Sequence, residues 1–443
     1  MQRILISDKF TFGKLLRYAA PSIIMIIFTS AYGVVDGLFV SNFTGDAAFA
    51  AINLFLPIFY LFGAAGMLLG SGGAALISKL IGEGREEDAR RNFTALTIVI
   101  VAFAGVITAV SIPLMPRIAT ALGASEEVYT HCVKYGIVML AGLIPFMLQS
   151  YFQYLFSVAE RPKLGLLITV GAGVTNMIGD FLLIYVANMG VIGAALATVV
   201  GECVGGVIPL IYFFFKKGKR LYYARPQFDG RTIGKICVNG SSELLTGVST
   251  SIVNMVYNFQ LLKYIGDDGV VAFGVLMYVS FIFVGCYIGF SVGTAPIIGY
   301  NYGAQNVSEL KSVFKKSLIF IAGAAVVMTA LAELLARPLS MIFVSYDREL
   351  LDLSVLALRL FAISFIISGF NIYASAFFTA LNNGVVSAVI STARTLVFQI
   401  GAVLVIPLIF GINGIWLATV VAEGLSLIIS VGMILGLRKK YGY

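Results

Sequence analysis

Several polar side chains stand inside long apolar runs of this sequence. Asp36 follows Tyr32 by one helical turn, and Asp180 follows Asn176 by one turn, so each pair shares a helix face. Thr198, in the next apolar run, adds a hydroxyl to these carboxylate and amide groups. Such a set suits a hard cation such as Na⁺, or a proton shared between the two carboxylates. We therefore predict a cation-binding site formed by Asp36, Asn176, Asp180 and Thr198; separate capping of each aspartate is the structural alternative.

Other ionisable residues within the apolar runs have two interpretations each. Glu202 follows Thr198 by one turn and can join the same site. Glu243 stands near the start of a later run, where it can attract a cationic substrate or act as a helix-end acid. Glu423 has a possible partner in Arg394. A charge at mid-membrane costs at least about 2.5–3.5 kcal/mol, so each of these residues is expected to have a functional or structural role that offsets this cost.

Metal and redox chemistry find no support in the residue pattern. The four cysteines occur singly without a CxxC motif, and His131 is the only histidine. We therefore predict no metal site, no disulfide and no cofactor. No GxxxxGK[ST] motif occurs either, which argues against a bound nucleotide as the energy source.

The composition makes the bilayer the solvent of this chain. Hydrophobic residues form 59% of it and charged residues only 12%, against about 25% charged residues in soluble domains. We predict an all-α integral membrane protein with twelve transmembrane helices, the first kinked at Pro21. The predicted spans lie near residues 15–40, 47–77, 92–116, 130–156, 163–187, 190–215, 236–262, 270–299, 314–335, 350–378, 385–410 and 412–437.

The polar connections between these spans alternate in charge. Basic residues concentrate at both ends of the chain and in alternate loops, whereas the other loops are short or acidic, as at Asp267-Asp268. The positive-inside rule places both termini in the cytoplasm of a multi-pass cell-membrane protein. Because the basic residues are spread over one membrane face, the net charge of +8 does not indicate nucleic-acid binding.

An internal duplication runs through the chain at a constant offset of 221 residues. Its clearest match sets GVIGAALATVVGE (190–202) on GINGIWLATVVAE (411–423). Six spans per copy give both copies the same orientation, so we predict two parallel six-helix lobes around a central cavity. The predicted domains are an N-terminal lobe at 1–215, a cytoplasmic linker at 216–235 and a C-terminal lobe at 236–443.

The second copy acts as a control for the acidic residues of the first. Most of the predicted ligands change there: the counterparts of Asp36, Asn176, Asp180 and Thr198 are Tyr257, Val397, Gly401 and Thr419. The fold does not require the two aspartates, so we assign them to ion coupling in the N-terminal lobe. Glu202 corresponds to Glu423, which favours an architectural role for both. Gly173, however, replaces Arg394 in the first copy and leaves Glu202 without a matched cation.

These segments resemble the multidrug and toxic compound extrusion (MATE) family over essentially the whole chain. The resemblance is strongest to a bacterial branch of staphylococcal multidrug pumps. The segments that carry it are AYGVVDGLFV (31–40), NLFLP (53–57), GSGGAALISKLIGEG (70–84), FSVAERPK (156–163), NMIGD (176–180), GAALAT (193–198), NGSSELLT (239–246) and GTAPIIGYNYGA (293–304).

The resemblance implies a cation site in the N-terminal lobe. Its residues would be Asp36, Asn176, Asp180 and Thr198, with Tyr32 and Gln153 beside them. The sequence departs from some branches of the family because it has no acid in the middle of the seventh or tenth span. It also has Glu202 and Glu423 where many relatives carry glutamine.

The function that follows is secondary active antiport, not enzymatic catalysis. An inward flow of H⁺ or Na⁺ would drive the export of small amphipathic, often cationic organic molecules by alternating access, and we expect a monomer in the lipid bilayer. The alternative is a flippase of lipid-linked precursors. It is disfavoured because, of the Lys and Arg residues, only Arg359 and Arg394 lie away from the ends of the predicted spans to bind a pyrophosphate. A channel fits the pattern less well because it needs a pore but not two rocking halves. A membrane enzyme usually has a histidine or metal cluster, which a single histidine cannot supply.

Overall fold

The computed structural model describes residues 4–216 and 218–443, which are helical apart from short connections and contain no β-strand. The first half contains the helices α1 (Phe12–Phe43), α2 (Asp46–Gly82), α3 (Glu86–Ala121), α4 (Glu126–Ala141), α5 (Leu143–Val158), α6 (Pro162–Asp180) and α7 (Gly190–Phe214). The second half contains α8 (Gly230–Tyr264), α9 (Asp267–Gly303), α10 (Val307–Val344), α11 (Arg348–Ala362), α12 (Phe365–Ala380), α13 (Gly384–Thr392), α14 (Gln399–Phe410) and α15 (Ile412–Tyr441). Two π-helical stretches follow α6 and α13, at Phe181–Val186 and Ala393–Phe398.

These helices correspond to the predicted spans. Within the described ranges, nine helices are long and apolar enough to cross a membrane, or eleven if each bent pair is one span. The bent pairs are α4 with α5, at 53°, and α11 with α12, at 51°. Helix α8, predicted as the seventh span, is the long helix that apolar composition alone does not identify, because polar residues such as Lys235 and Glu243 lie along it. Helix α1 continues through Pro21; a kink there stays a prediction.

The duplication is visible in the backbone. Helix α9 begins and ends 221 residues after α2. Positive φ angles recur at the same offset, at Gly45 (85°) and Gly266 (92°), and again at Gly190 (55°) and Gly411 (59°). L-residues with a side chain disfavour these angles, so glycine is retained in both copies at the start of equivalent helices.

The described chain divides into two compact units. The first contains the residues up to Ile6 together with Phe28–Gly240, and the second contains Ser7–Ile27 together with Ser241–Tyr443. One division, after Ile6, precedes α1; the other two, after Ile27 and after Gly240, fall inside α1 and α8. The units therefore follow the two copies of the duplication except that the first part of α1 is grouped with the second copy, and the first part of α8 with the first. The predicted lobe and linker boundaries, which come from the repeat alone, stay a prediction.

Candidate cation site

Two aspartates come together inside the first unit. Asp36 lies on α1, Asp180 is the last residue of α6, and their carboxyl groups are neighbours. Asn176, one turn before Asp180, also adjoins Asp36. Asp180 has no exposed surface and Asn176 is 4% exposed. We refer to Asp36, Asn176 and Asp180 as the aspartate cluster; it contains three of the four residues that the sequence predicts as ligands.

Glycines on α6 and α7 allow the helices around the cluster to approach closely. A Cβ atom on Gly173 would lie 2.6 Å from Phe28 Cε1 and 3.0 Å from Tyr32 Cδ1, both on α1. A Cβ atom on Gly201 of α7 would lie 3.0 Å from the Cβ of Asn176. Small residues at such contacts are a common means of close helix packing in membranes. They hold α1 and α7 against the face of α6 that bears the cluster.

Most polar atoms of the aspartate cluster are unsatisfied. One oxygen of Asp36, both of Asp180 and both polar atoms of Asn176 are buried without a hydrogen-bond partner. Neither aspartate pairs with a Lys or Arg among the residues that the structure describes. A buried polar atom without a partner costs about 1–3 kcal/mol, and more when it is charged. Carboxylate and amide oxygens are the ligands that a hard cation prefers, so these residues fit Na⁺, or a proton shared between the carboxylates.

The turn that follows the cluster is also unusual. Helix α6 ends at Asp180, and the backbone changes there to the π-helical stretch Phe181–Val186. Stretches of this kind are rare and occur often at functional sites, because they displace side chains from regular helical positions. The backbone thus supports a specialised role for Asp180.

Further polar residues surround the cluster, and two of them were missed by the sequence analysis. Tyr32 of α1 adjoins the amide of Gln149 on α5. Tyr135 of α4 lies within electrostatic range of both aspartates and of Glu202. The available signal for Gln149 was an amide in an apolar span whose counterpart in the second copy is the apolar Phe370. Tyr135 gave no signal, since tyrosines are frequent in these spans.

The described contacts do not join the remaining predicted residues to the cluster. The Thr198 hydroxyl donates to the carbonyl of Ala194 at 3.1 Å, so its contribution as a ligand stays a prediction. Gln153 is half-buried one turn after Gln149, and Gln149 is the amide beside Tyr32. Glu243 is half-buried on α8 and belongs to the second unit.

The second unit fills the equivalent region with a neutral network. The hydroxyl groups of Tyr257 and Thr419 are 2.7 Å apart. The amide of Gln399 donates to Tyr257 at 3.0 Å and to Thr419 at 2.7 Å. Every member of this network has a partner and none carries a charge, so the network needs no cation.

In the second unit, Glu423 forms an ion pair with Arg394 of the same unit. Arg394 Nε lies 2.8 Å and 3.0 Å from the two carboxylate oxygens of Glu423, and Arg394 Nη2 lies 2.8 Å from Oε1. The amide of Asn371 donates to Oε2 at 2.7 Å, and Ser430 donates to the Asn371 carbonyl oxygen at 2.8 Å. The suggested partnership between Arg394 and Glu423 is therefore present, and both residues line a cavity within this unit.

Repeated helical bundles, a chain apolar enough for the bilayer and a buried cluster of acids define a polytopic membrane transporter. The chain belongs to the MatE family, because the family model described as MatE matches residues 21–182 and again residues 244–404. One match falls on each copy of the duplication, which confirms the repeat. Members of this family are transporters and not enzymes.

Relatives and solved structures agree with this assignment over nearly the whole chain. The chain is 24% identical to Multidrug export protein MepA of Staphylococcus haemolyticus, over 97% of this chain and 94% of that protein. It is 22% identical to the protein of the same name from Staphylococcus aureus, over 97% and 94%.

Among solved structures, an outward-facing multidrug resistance MATE family transporter has a TM-score of 0.91 at 23% identity, covering 97% of this chain and 98% of that one. A MATE in the straight conformation gives 0.91 at 22% identity, with the same coverage. The predicted twelve-helix, two-lobe fold is thereby confirmed.

The buried ion pair of the second unit generates a stability prediction. Arg394→Gln leaves the Glu423 carboxylate buried without its cation, so we expect a loss of about 3–5 kcal/mol of unfolding free energy. The double variant Arg394→Gln/Glu423→Gln removes both charges and should recover most of that loss. Thermal unfolding in detergent measures both; a single variant as stable as the parent protein would contradict the pairing.

Proposed function

We propose that this protein is a secondary active antiporter of the plasma membrane that exports small amphipathic, often cationic organic compounds. An inward flow of H⁺ or Na⁺ through the aspartate cluster drives the export. The MepA relatives, named as multidrug export proteins, support this class of substrate. No nucleotide-binding motif is available to supply energy from ATP.

The observation that carries the proposal is the asymmetry between the two units. In the first, Asp36 and Asp180 lie side by side without a compensating cation from the protein. In the second, neutral hydrogen-bonding groups occupy the equivalent positions, around Tyr257. A scaffold that folds without the aspartates in one copy retains them in the other for exchange of a cation.

Electrostatics explains how such a cluster couples two fluxes. When H⁺ or Na⁺ is bound, the cluster loses negative charge and no longer favours a cationic substrate. When the ion has left, the negative charge favours that substrate again. The coupling ion and the cationic substrate thus each weaken the binding of the other, by a coupling free energy that is typically about 1–3 kcal/mol. When the binding region opens alternately to the two sides of the membrane, this mutual weakening leads to exchange of the ion for the substrate.

A pyrophosphate-lipid flippase is less well supported. The two arginines that lie away from the ends of the predicted spans have acidic partners: Arg394 pairs with Glu423, and Arg359 Nε lies 3.7 Å from Glu333 Oε2. Each guanidinium is therefore engaged by a carboxylate, which opposes the binding of a second anion. The cluster of the first unit is itself negative and would repel a phosphate.

The central test of the proposal is Asp36→Asn. The amide keeps the shape of the carboxylate but cannot carry a charge or release a proton. We therefore expect transport driven by an H⁺ or Na⁺ gradient to fall at least tenfold, which is roughly what the loss of a coupling free energy of about 1–3 kcal/mol would cause. Proteoliposomes loaded with a fluorescent organic cation, under each gradient separately, measure the effect. Substrate binding in detergent should persist.

The matched control is Tyr257→Phe, because Tyr257 occupies the position of Asp36 in the second copy. It removes a hydroxyl from the neutral network and should leave coupling close to that of the parent. Pumping by Asp36→Asn at the parental rate would disprove the role of the cluster. So would an equal loss in Tyr257→Phe.

Membrane orientation forms part of the proposal, with both termini and the basic 216–235 segment in the cytoplasm. Gln227 is exposed in that segment, and Asp268 is exposed in the acidic first turn of α9. In a protein whose native cysteines are replaced by serine, an impermeant maleimide added to intact cells should label Asp268→Cys and not Gln227→Cys. The reverse labelling pattern would invert the proposed topology.

A further inference from the structure

Glu202 is a third buried acid near the aspartate cluster. It lies on α7, is 7% exposed, and its Oε2 atom is buried without a hydrogen-bond partner. Its carboxyl group lies within electrostatic range of Asp36. The other titratable groups that face it are Tyr32 of α1, Tyr135 of α4 and the adjacent Cys203, while α5 presents the amide of Gln149 beside Tyr32. None of these neighbours supplies a positive charge.

The duplication shows what Glu202 lacks. Its counterpart Glu423 is held by the guanidinium of Arg394 and the amide of Asn371. The residues of the first copy at those two positions are Gly173 and Ser150, and neither provides a cation.

The first unit also excludes an arginine at the position of Arg394. A Cβ atom on Gly173 would already lie 2.6 Å from Phe28 Cε1 and 3.0 Å from Tyr32 Cδ1. The aromatic rings of α1 therefore fill the space through which a guanidinium reaches the glutamate in the second unit.

Charge balance then requires that Glu202 either bind a proton or be accompanied by a cation from solution. Three carboxylates in one buried region cannot all remain ionised without compensation, since burial of an unpaired charge costs several kcal/mol. No Lys or Arg among the described residues pairs with any of the three. Nor are the acids placed to share one metal ion, because the described residues contain no such group of three. Because Oε2 is buried without a partner, a proton can neutralise this carboxylate without any further ligand.

We propose that Glu202 binds a second exchangeable proton, separate from the cation held by the aspartate cluster. The carboxylate takes up this proton from the outside and releases it to the cytoplasm in each transport cycle. The proposal rests on the antiport function above and adds one proton to its stoichiometry.

The stoichiometry can be measured in proteoliposomes with tetraphenylphosphonium as the transported probe. With the membrane potential clamped at zero, the probe gradient at which net flux reverses equals the ion gradient raised to the number of ions exchanged. Under an about tenfold proton gradient, Glu202→Gln should lower this reversal gradient about tenfold relative to the parent. Its dependence on a Na⁺ gradient should not change.

The double variant Arg394→Gln/Glu423→Gln is the matched control, because it neutralises the equivalent glutamate together with its internal cation. Its reversal gradient should equal that of the parent. An unchanged reversal gradient in Glu202→Gln would overturn the proposal, as would weaker probe binding with unchanged stoichiometry. A parent that responds to neither ion gradient would instead contradict the antiport function itself.

A second measurement applies if Glu202→Gln does not transport. Binding of tetraphenylphosphonium to the detergent-solubilised protein in weak buffer should release protons, which a pH indicator counts. We expect about one fewer proton from Glu202→Gln than from the parent. Equal proton release from the two proteins would overturn the proposal.

Discussion

The energetics of this protein depend on how negative charge is held in a medium that does not solvate it. Asp36 and Asp180 lie together on α1 and α6, in a region where water is largely excluded and the polar atoms lack partners. Two ionised carboxylates in contact repel each other more strongly there than in water, because the effective dielectric constant is lower. A monovalent cation or a proton relieves that repulsion. The site is thus strained when empty and relaxed when loaded, as exchange requires.

The second copy shows how the same scaffold avoids this requirement. Around Tyr257, hydroxyl and amide groups satisfy one another within 3.0 Å. Around Glu423, an arginine from the same unit replaces the mobile ion. Both arrangements are complete without a ligand, so they stabilise the second unit and exchange nothing. The duplication therefore includes one copy whose buried charge is balanced within the protein, and we propose that ions from solution balance the charge of the other.

Much of this was predictable from the sequence because hydropathy and repetition are long-range patterns. The spans follow from apolar length, and the special status of Asp36 and Asp180 follows from their replacement by Tyr257 and Gly401 in the second copy. The residue pattern alone did not establish that Asp36 and Asp180 lie next to each other. Which faces of α1 and α6 meet depends on side-chain contacts such as those at Gly173. For the same reason, the position of Gln149 beside Tyr32 was found only in the structure.

We propose that the first unit needs a cation and that the second unit does not. Thermal unfolding of the detergent-solubilised protein at increasing Na⁺ concentration, and separately at increasing proton concentration, tests this most directly. Binding to the folded state stabilises it by about 2.7 kcal/mol at a hundredfold excess over Kd. The account predicts that the melting temperature of the parent rises with at least one of the two ions. Any rise with Na⁺ should be absent from Asp36→Asn/Asp180→Asn, and any rise with protons should be smaller there, because Glu202 remains. Both should be retained in Tyr257→Phe. A melting temperature that responds to neither ion, or one that rises equally in the double variant, would contradict it.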